Sequence, residues 1–329
     1  MTKVSIIIPM YNVEKYIEAC LDSVMNQTMN DYEVIVIDDG SRDHSYEKAL
    51  KYQSRYPQQM RVYKQENAGQ GAVRNNGVRI ATGEYILFVD SDDTVSRELV
   101  ETAYTMIETV KADIAIFDAW IVHEDQAPNE TLIGCHANDR VISLEKYPRI
   151  LLEYPCPWNK IYRKDFLIDN GLKYPTHMWY EDLTGACMFY ACAKSIVVSH
   201  EKLYYYLQRS SSVMHSKVNP KNIEILKAMD LVLDYYKQKN IFEKYYQELE
   251  YLGIYHILIA AAGRTIRGDA KSRFPDMFMK YMNERFPQWR ENVYYSEISR
   301  ANKLKLFLLR RRAYTALHFL YKMRKANAI

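Results

Sequence analysis

No apolar run in this 329-residue chain approaches the roughly 20 residues a bilayer-spanning helix needs, so no membrane span is expected. No leader is expected either, because "MTKVSIIIPMYN" enters a strand pattern at once, and a cytoplasmic protein is the expectation. The five cysteines, Cys20, Cys135, Cys156, Cys187 and Cys192, show neither CxxC nor Cys/His spacing. An odd number without such spacing argues for a reducing compartment, against a disulfide framework and against a zinc site. Neither a P-loop signature nor GxGxxG occurs, so readings as a nucleotide triphosphatase or a nicotinamide enzyme lose their main support. Internal repeats and low-complexity stretches are absent. Acid is missing from one place: residues 303–329 carry Lys303, Lys305, Arg310, Arg311, Arg312, Lys322, Arg324 and Lys325, and no Asp or Glu.

That tail stands out because the net charge is only +3, from 44 Lys and Arg against 41 Asp and Glu. Set apart, its cations leave the rest of the chain mildly acidic, which suits an addressing tail better than a nucleic-acid-binding domain. Within it Leu306, Leu309, Ala313, Leu317 and Leu320 recur at helical spacing. Two readings follow for about 302–325: a basic amphipathic helix lying on an anionic membrane surface, or a helix packed on the preceding domain with a solvated basic face. The remaining composition, 48% hydrophobic and 26% charged, is that of an ordinary globular protein. Its 29 tyrosines are many. Aromatic faces suit stacking on sugars or bases, although packing accounts for most of them.

The first half alternates strand and helix patterns. "KVSIIIPM", "DYEVIVIDDG", "MRVYKQE" and "EYILFVD" read as strands, followed by "ADIAIFDAW". Helices are expected over Val13–Met25, about His44–Arg55, "GQGAVRNNGVRIATG" and Arg97–Val110. Such alternation predicts an α/β fold, a Rossmann-like and mostly parallel sheet covered on both faces. After Asn219 the chain reads as helical over roughly 220–239, 242–264, 273–285 and 302–325. The expected organisation is therefore a domain over 1–218 and a helical extension over 219–329.

The fourth strand runs into "FVDSDDT", and so into Asp90, Ser91, Asp92 and Asp93. Adjacent carboxylates repel, and burying one unpaired is costly. One reading is a solvated turn with a helix cap at Thr94 or Ser96. The other is a divalent metal at the carboxyl end of a strand, and position favours it. Ligands of open α/β sheets bind beyond those ends, where Tyr11, Asn12, Asp38, Asp39, Ser41, Asp90 and Asp92 would gather. Side chains at i and i+2 of a strand face one way, so Asp90 and Asp92 are expected to reach one ion. Two carboxylates leave an octahedral Mg2+ or Mn2+ short of oxygens, which water and a phosphate-bearing substrate must supply. A nucleoside diphosphate compound is the expected ligand.

"VSIIIPMYN", "VIVIDDGSRDHS", "NAGQGAVRNNGVRIATGEYILFVDSDD" and "YEDL" together resemble the family 2 glycosyltransferases of the A-type fold, over about the first 215 residues. The resemblance implies that Tyr11 stacks on the base, that Asp39 accepts a hydrogen bond from uracil, and that Pro9 and Asn12 shape the pocket. Asn67, Gly69 and Arg74 correspond to the family's loop and helix start near the nucleotide, with Arg74 equally able to be a structural ion pair. Asp90 touches ribose or metal, Ser91 belongs with the donor-binding residues, and Asp92 is the principal metal ligand. Asp93 orients the donor sugar or caps the next helix.

In "WYEDLTGA" the resemblance places the catalytic base of an inverting enzyme at Asp182, beside Glu181. A single displacement needs one carboxylate to take the acceptor's proton, and an adjacent acid raises its pKa toward working pH. In "YYYLQRSSSVMHS", Arg209 is expected on the diphosphate and His215 in the metal shell. No QxxRW motif occurs, which points to a non-processive enzyme. The implied partners are a UDP-sugar and a saccharide acceptor, lipid-linked if the tail meets a membrane. The alternatives are a nucleotidyltransferase, for which "PMYNVEKY" lacks the glycine- and lysine-rich loop, and a catalytically silent partner subunit.

Overall fold

The run "VSIIIPM" forms β1, Val4–Met10, and each of its residues is buried. So is each residue of β2, Tyr32–Asp38. Strands buried on both faces read as mostly apolar runs, here broken by Ser5 and Glu33, which bond each other at 2.7 Å, and they sit at the centre of a covered parallel sheet. In the computed structural model, which describes residues 2–124, 126–128, 130–138, 140–208 and 219–326, β1 pairs in parallel with β2 and with β4, Tyr85–Phe88. β3, Met60–Lys64, extends the sheet beyond β2, also in parallel. α1 (Ile17–Met25), α2 (Ser45–Arg55) and α3 (Gln70–Ile80) make the crossovers.

Beyond β4 the sheet becomes mixed. The short β5 is Thr94–Val95, and α4, Leu99–Val110, leads to β6, Ile114–His123. β7 (Glu130–Leu132) pairs with β6, and β8 (Val141–Ile142) with the long β10, Ile196–Gln208. β9, Lys160–Arg163, runs antiparallel to both β4 and β6. α5, Lys164–Asp169, follows it, and α6, Glu181–Tyr190, precedes β10. The strand order is β3-β2-β1-β4-β9-β6-β10-β5.

One expectation about the acidic stretch does not hold. β4 ends at Phe88, and Asp90–Asp93 form a turn closed by the Asp93 N–H to the Asp90 carbonyl at 3.1 Å. The same-face rule for strands therefore says nothing about Asp90 and Asp92. Like charges separate more easily in a turn than on a ladder.

The chain divides into two compact units, Met1–His177 with Glu181–Arg209, and Met178–Tyr180 with Ser210–Ile329. The three-residue excursion was not legible in the sequence. It arises because the Trp179 N–H donates to Glu224 Oε2 at 2.7 Å and the Tyr180 hydroxyl accepts from Arg264 Nη2 at 2.7 Å.

The second unit is helical among its described residues: α7 (Glu224–Gln238), α8 (Tyr246–Leu252), π-helical turns over Gly253–Ala261, α9 (Ala262–Gly268) and α10 (Phe274–Arg285). The single tail helix expected over 302–325 is two helices, α11 (Arg300–Arg310) and α12 (Tyr314–Ala326). Arg312 adopts φ 53, a left-handed stop, while Ala313 N–H returns to the Leu308 carbonyl at 2.9 Å. Asp276 holds the corner, bonding Arg312 Nε at 3.2 Å and the Tyr314 hydroxyl at 2.7 Å. The break changes what the leucines do. Leu306, Leu309 and Leu317 are buried in this unit, whereas Leu320 is exposed. Among the described residues no helix is long and apolar enough to cross a membrane.

Candidate active site

Asp39 follows β2 directly and is buried. Its Oδ1 accepts from the Ala68 N–H at 2.9 Å and from Gln65 Nε2 at 2.8 Å, and its Oδ2 accepts from the Gly69 N–H at 2.9 Å. Asn67 Nδ2 donates to the Asp39 carbonyl at 2.9 Å. One carboxylate thus organises the whole 65–69 loop, and Gly69 turns the chain into α3 at φ 86, where a side chain would be strained. Asp38 is buried beside it and accepts from the Ser41 N–H. Asn12, at φ 51, is pinned to the same neighbourhood: its N–H donates to Ser41 Oγ at 2.9 Å and its Oδ1 accepts from the Arg42 N–H at 2.8 Å. Pro9 is buried in β1, and Tyr11 leaves the sheet edge 45% exposed, its ring presented to solvent. The first three expected segments therefore meet at one edge.

α3 and α6 approach through a shared segment. A Cβ on Gly71 would lie 2.1 Å from the Pro175 carbonyl oxygen, and one on Gly185 would lie 2.5 Å from the Tyr174 ring. Glycine at both places lets Tyr174–Pro175 pack tightly against the two helices. His177 N–H also donates to the Ala68 carbonyl at 3.1 Å, tying this segment to the loop that Asp39 holds.

The approach brings Arg74 of α3 to the start of α6. Arg74 is 1% exposed. Its Nη1 donates to Glu181 Oε1 at 3.0 Å, and its Nη2 to Asp90 Oδ1 at 3.2 Å and to Gln70 Oε1 at 2.9 Å. Burial works against its charge, but Asp90 and then Glu181 outweigh that and raise its pKa. The guanidinium is thus a permanent cation joining the "DSDD" turn to the "EDL" helix start.

Asp182 is half-buried, and its Oδ1 accepts from the Leu183 N–H at 2.7 Å. Burial pushes its carboxyl above the usual range, with Asp90 adding to the shift and Arg74 opposing it. Glu181 is raised by burial and then by Asp182. A carboxylate kept short of full solvation, with a neighbouring acid, is how a base is poised to take a proton.

Asp93 turns away from the edge. It neither caps a helix nor faces solvent: its Oδ2 accepts from the Tyr204 hydroxyl at 2.8 Å and its Oδ1 from the Leu207 N–H at 2.7 Å. Tyr204 also accepts from the Asp90 N–H at 3.0 Å. Burial, then the charges of Asp92 and Asp90, push the Asp93 carboxyl well up. Its work is to fix the turn. Ser91 is buried, and Asp90 and Asp92 are both half-buried.

A family profile described as Glycosyl transferase family 2 matches residues 5–171. The chain is 30% identical over 271 residues, 76% of each chain, to the uncharacterized glycosyltransferase YibD of Escherichia coli (strain K12). The chain belongs to the family 2 glycosyltransferases. It is also 34% identical over 209 residues to the poly(ribitol-phosphate) beta-glucosyltransferase of Bacillus spizizenii, covering 62% of this chain and 32% of that longer protein. The crystal structure of Staphylococcus aureus TarS 1-349 in complex with UDP-GlcNAc superposes with a TM-score of 0.73 at 24% identity, covering 98% of this chain and 92% of that one. The mixed sheet with its parallel core and C-terminal helices is thus the A-type fold.

In this glycosyltransferase the turn offers two half-buried carboxylates, Asp90 and Asp92, too few to make a metal site by themselves. Among the described residues no three His, Cys, Asp or Glu side chains come together to hold a metal. Asp90 already shares one oxygen with Arg74. Asp92, with the second oxygen of Asp90, suits an ion that brings the rest of its shell as diphosphate and water. Arg209 and His215, expected on the diphosphate and the metal, lie outside the described residues.

Two residues of this glycosyltransferase were not picked out from the sequence. Tyr204 lies among tyrosines that read as packing, and nothing local marks a hydroxyl aimed at a turn more than a hundred residues earlier. Lys160 opens an apolar strand yet is 1% exposed. Its ammonium donates to the Cys156 carbonyl at 2.6 Å and to Asn159 Oδ1 at 2.5 Å, so it shapes the loop that carries Trp158. Trp158 stacks on Tyr204 with centroids 4.4 Å apart, which backs the tyrosine that holds the turn. A lysine at a strand start in "PWNKIYR" was the available signal.

Arg74→Met is expected to destabilise the chain by about 3–5 kcal/mol, the usual result of leaving buried partners without their counter-charge. Arg74→Lys should recover only part of this, because an ammonium lacks the fork that reaches both carboxylates. Denaturant titration measures both. A methionine variant as stable as wild type would mean that the bridge carries no structural load.

Proposed function

We propose that this enzyme is an inverting, metal-dependent transferase. It moves a sugar from a UDP-sugar to a hydroxyl of a saccharide acceptor, lipid-linked and destined for the cell surface, at the inner face of the membrane. The proposed catalytic part is 1–218, with 219–329 as its helical extension.

The observation that carries the reading is Arg74, whose one guanidinium holds both Asp90 and Glu181. It ties the turn suited to a diphosphate and its metal to the helix start that bears Asp182. In the step we propose, Asp182 accepts the proton of the acceptor hydroxyl, whose oxygen forms a bond to the anomeric carbon. The bond from that carbon to the diphosphate oxygen breaks on the opposite side, and UDP leaves with the electron pair. Asp92 and Asp90 would hold Mn2+ or Mg2+, which when bound would offset the charge gathering on the departing diphosphate. Tyr11, exposed at the sheet edge, supplies a face for the uracil, and Asp39 keeps lone-pair capacity on Oδ2 for a base N–H beyond the loop it organises. Asn12, Asn67 and Gly69 shape the rim.

UDP rather than another nucleotide draws support from the UDP-GlcNAc complex of TarS, and a polymeric acceptor from the poly(ribitol-phosphate) relative. The test is a panel of UDP-sugars and GDP-mannose, incubated with enzyme and Mn2+ or Mg2+ without acceptor. Slow metal-dependent release of UDP from one or a few members is expected. Hydrolysis confined to the GDP-sugar, or none without regard to metal, would overturn the donor assignment.

A further inference from the structure

The apolar stripe that suggested a lipid-facing tail is largely spent inside the helical unit, but the two helices carry other apolar residues on their outer sides. On α12, Ala316, Phe319, Leu320 and Met323 are all exposed, Phe319 at 62%. They recur at i, i+3, i+4 and i+7, which is one face of a helix. The opposite side is the anchored one: Leu317 is buried, and His318 Nδ1 lies 2.7 Å from the Ile266 carbonyl. On α11 the outer line is Arg300, Leu304 and Phe307, with Phe307 51% exposed and the guanidinium of Arg311, just past the helix, over its ring at 5.7 Å.

Large apolar side chains aligned in the open are costly unless something covers them. Their surroundings say what. Arg300, Lys303, Arg311 and Lys322 flank the two lines, and no acid occurs from Ser299 to the end of the chain. Of the acids that α10 brings near the corner, Asp276 is already bonded to Arg312 and Tyr314, and Glu284 to Lys280. A protein partner would have to be both apolar and uniformly acidic, whereas an anionic bilayer surface presents that combination everywhere.

We propose that Leu304 and Phe307 of α11 and Ala316, Phe319, Leu320 and Met323 of α12 form the face by which this protein lies on an anionic lipid bilayer, with Arg300, Lys303, Arg311 and Lys322 in the headgroups. This rests on the membrane-side part of the proposed function, but it is read out by vesicle binding rather than by sugar transfer, so either can fail alone.

The experiment is co-sedimentation of the full chain with phosphatidylglycerol or phosphatidylcholine vesicles at low and high salt. Wild type is expected to bind the anionic vesicles, to release in high salt, and to ignore the neutral ones. Phe319→Glu/Met323→Glu should lose more than tenfold in binding, and Arg311→Gln about fivefold, the equivalent of about 1 kcal/mol for one cation near a charged surface. The substituted side chains are exposed, so melting temperature and UDP-sugar hydrolysis should not change. No binding by wild type at low salt would overturn the proposal, as would binding by the double variant equal to wild type. Self-association of wild type without vesicles, abolished in the double variant, would assign the face to a second copy of the chain instead.

Discussion

Asp182→Asn is expected to lower transfer by about 10²–10⁴-fold, the usual worth of a general base, while donor affinity stays within a few-fold. Asparagine keeps the shape and the acceptor oxygen for the Leu183 N–H, but it cannot take a proton. The pH dependence makes the prediction sharper. Burial raises the Asp182 carboxyl above its unfolded value, so wild-type turnover should climb with pH through that raised pKa, on an acidic limb set above the ordinary carboxylate range. The variant should lack the limb. The same shift bears on stability. A group whose folded pKa is raised contributes stability that is fully present below the unfolded pKa and lost as pH rises through the folded one. Asparagine carries no such loss, so at neutral pH the variant should melt no lower than wild type. Rate–pH profiles of kcat/KM and thermal melts on both sides of the limb check this. Weakened donor binding with an intact acidic limb would show Asp182 to be structural, and a product with retained anomeric configuration would exclude the single displacement.

Asp92→Ala should leave the fold intact and remove transfer by at least about 10²–10³-fold, which is what a single well-placed electrostatic group is worth. Asp92 sits half-buried in the turn that Asp93, Tyr204 and Arg74 hold by other contacts. The turn should therefore survive its loss, and the melting temperature should move little. The second readout is independent of catalysis: UDP binding by wild type should tighten on adding Mn2+ or Mg2+, and in Asp92→Ala the metal should make no difference. Calorimetric titration of UDP with and without metal measures it. Unchanged turnover in the variant, in the presence of chelator, would remove the ion from the reaction.

Much of the site was legible because its parts are local. The apolar runs of β1, β2 and β4, with acid or amide at or just past the end of each, identify strands and their ligand-bearing ends together, since a strand buried on both faces accepts an acid earlier only where partners meet it, as Ser5 and Thr82 meet Glu33 in β2. The helix start at Glu181 and the glycine turn at Gly69 are likewise written in neighbouring residues. What each acid does was not. Asp90, Asp92 and Asp93 look alike in sequence. Only the approach of α3 and of β10 separates Asp90 from Asp93, giving the first to Arg74 and the second to Tyr204 and Leu207.

The tail divides the same way. Its charge, its lack of acid and its helical spacing follow from the order of residues alone, because charge and periodicity are properties of the chain itself. Which apolar residues face inward depended on a single left-handed residue at Arg312, and that residue is held by Asp276 from another helix. Turning the helix there buried Leu306, Leu309 and Leu317 and left Phe319 and Met323 outside. A helical repeat specifies which residues share a face. Only packing against a second element, through contacts that no local pattern encodes, decides whether that face is covered.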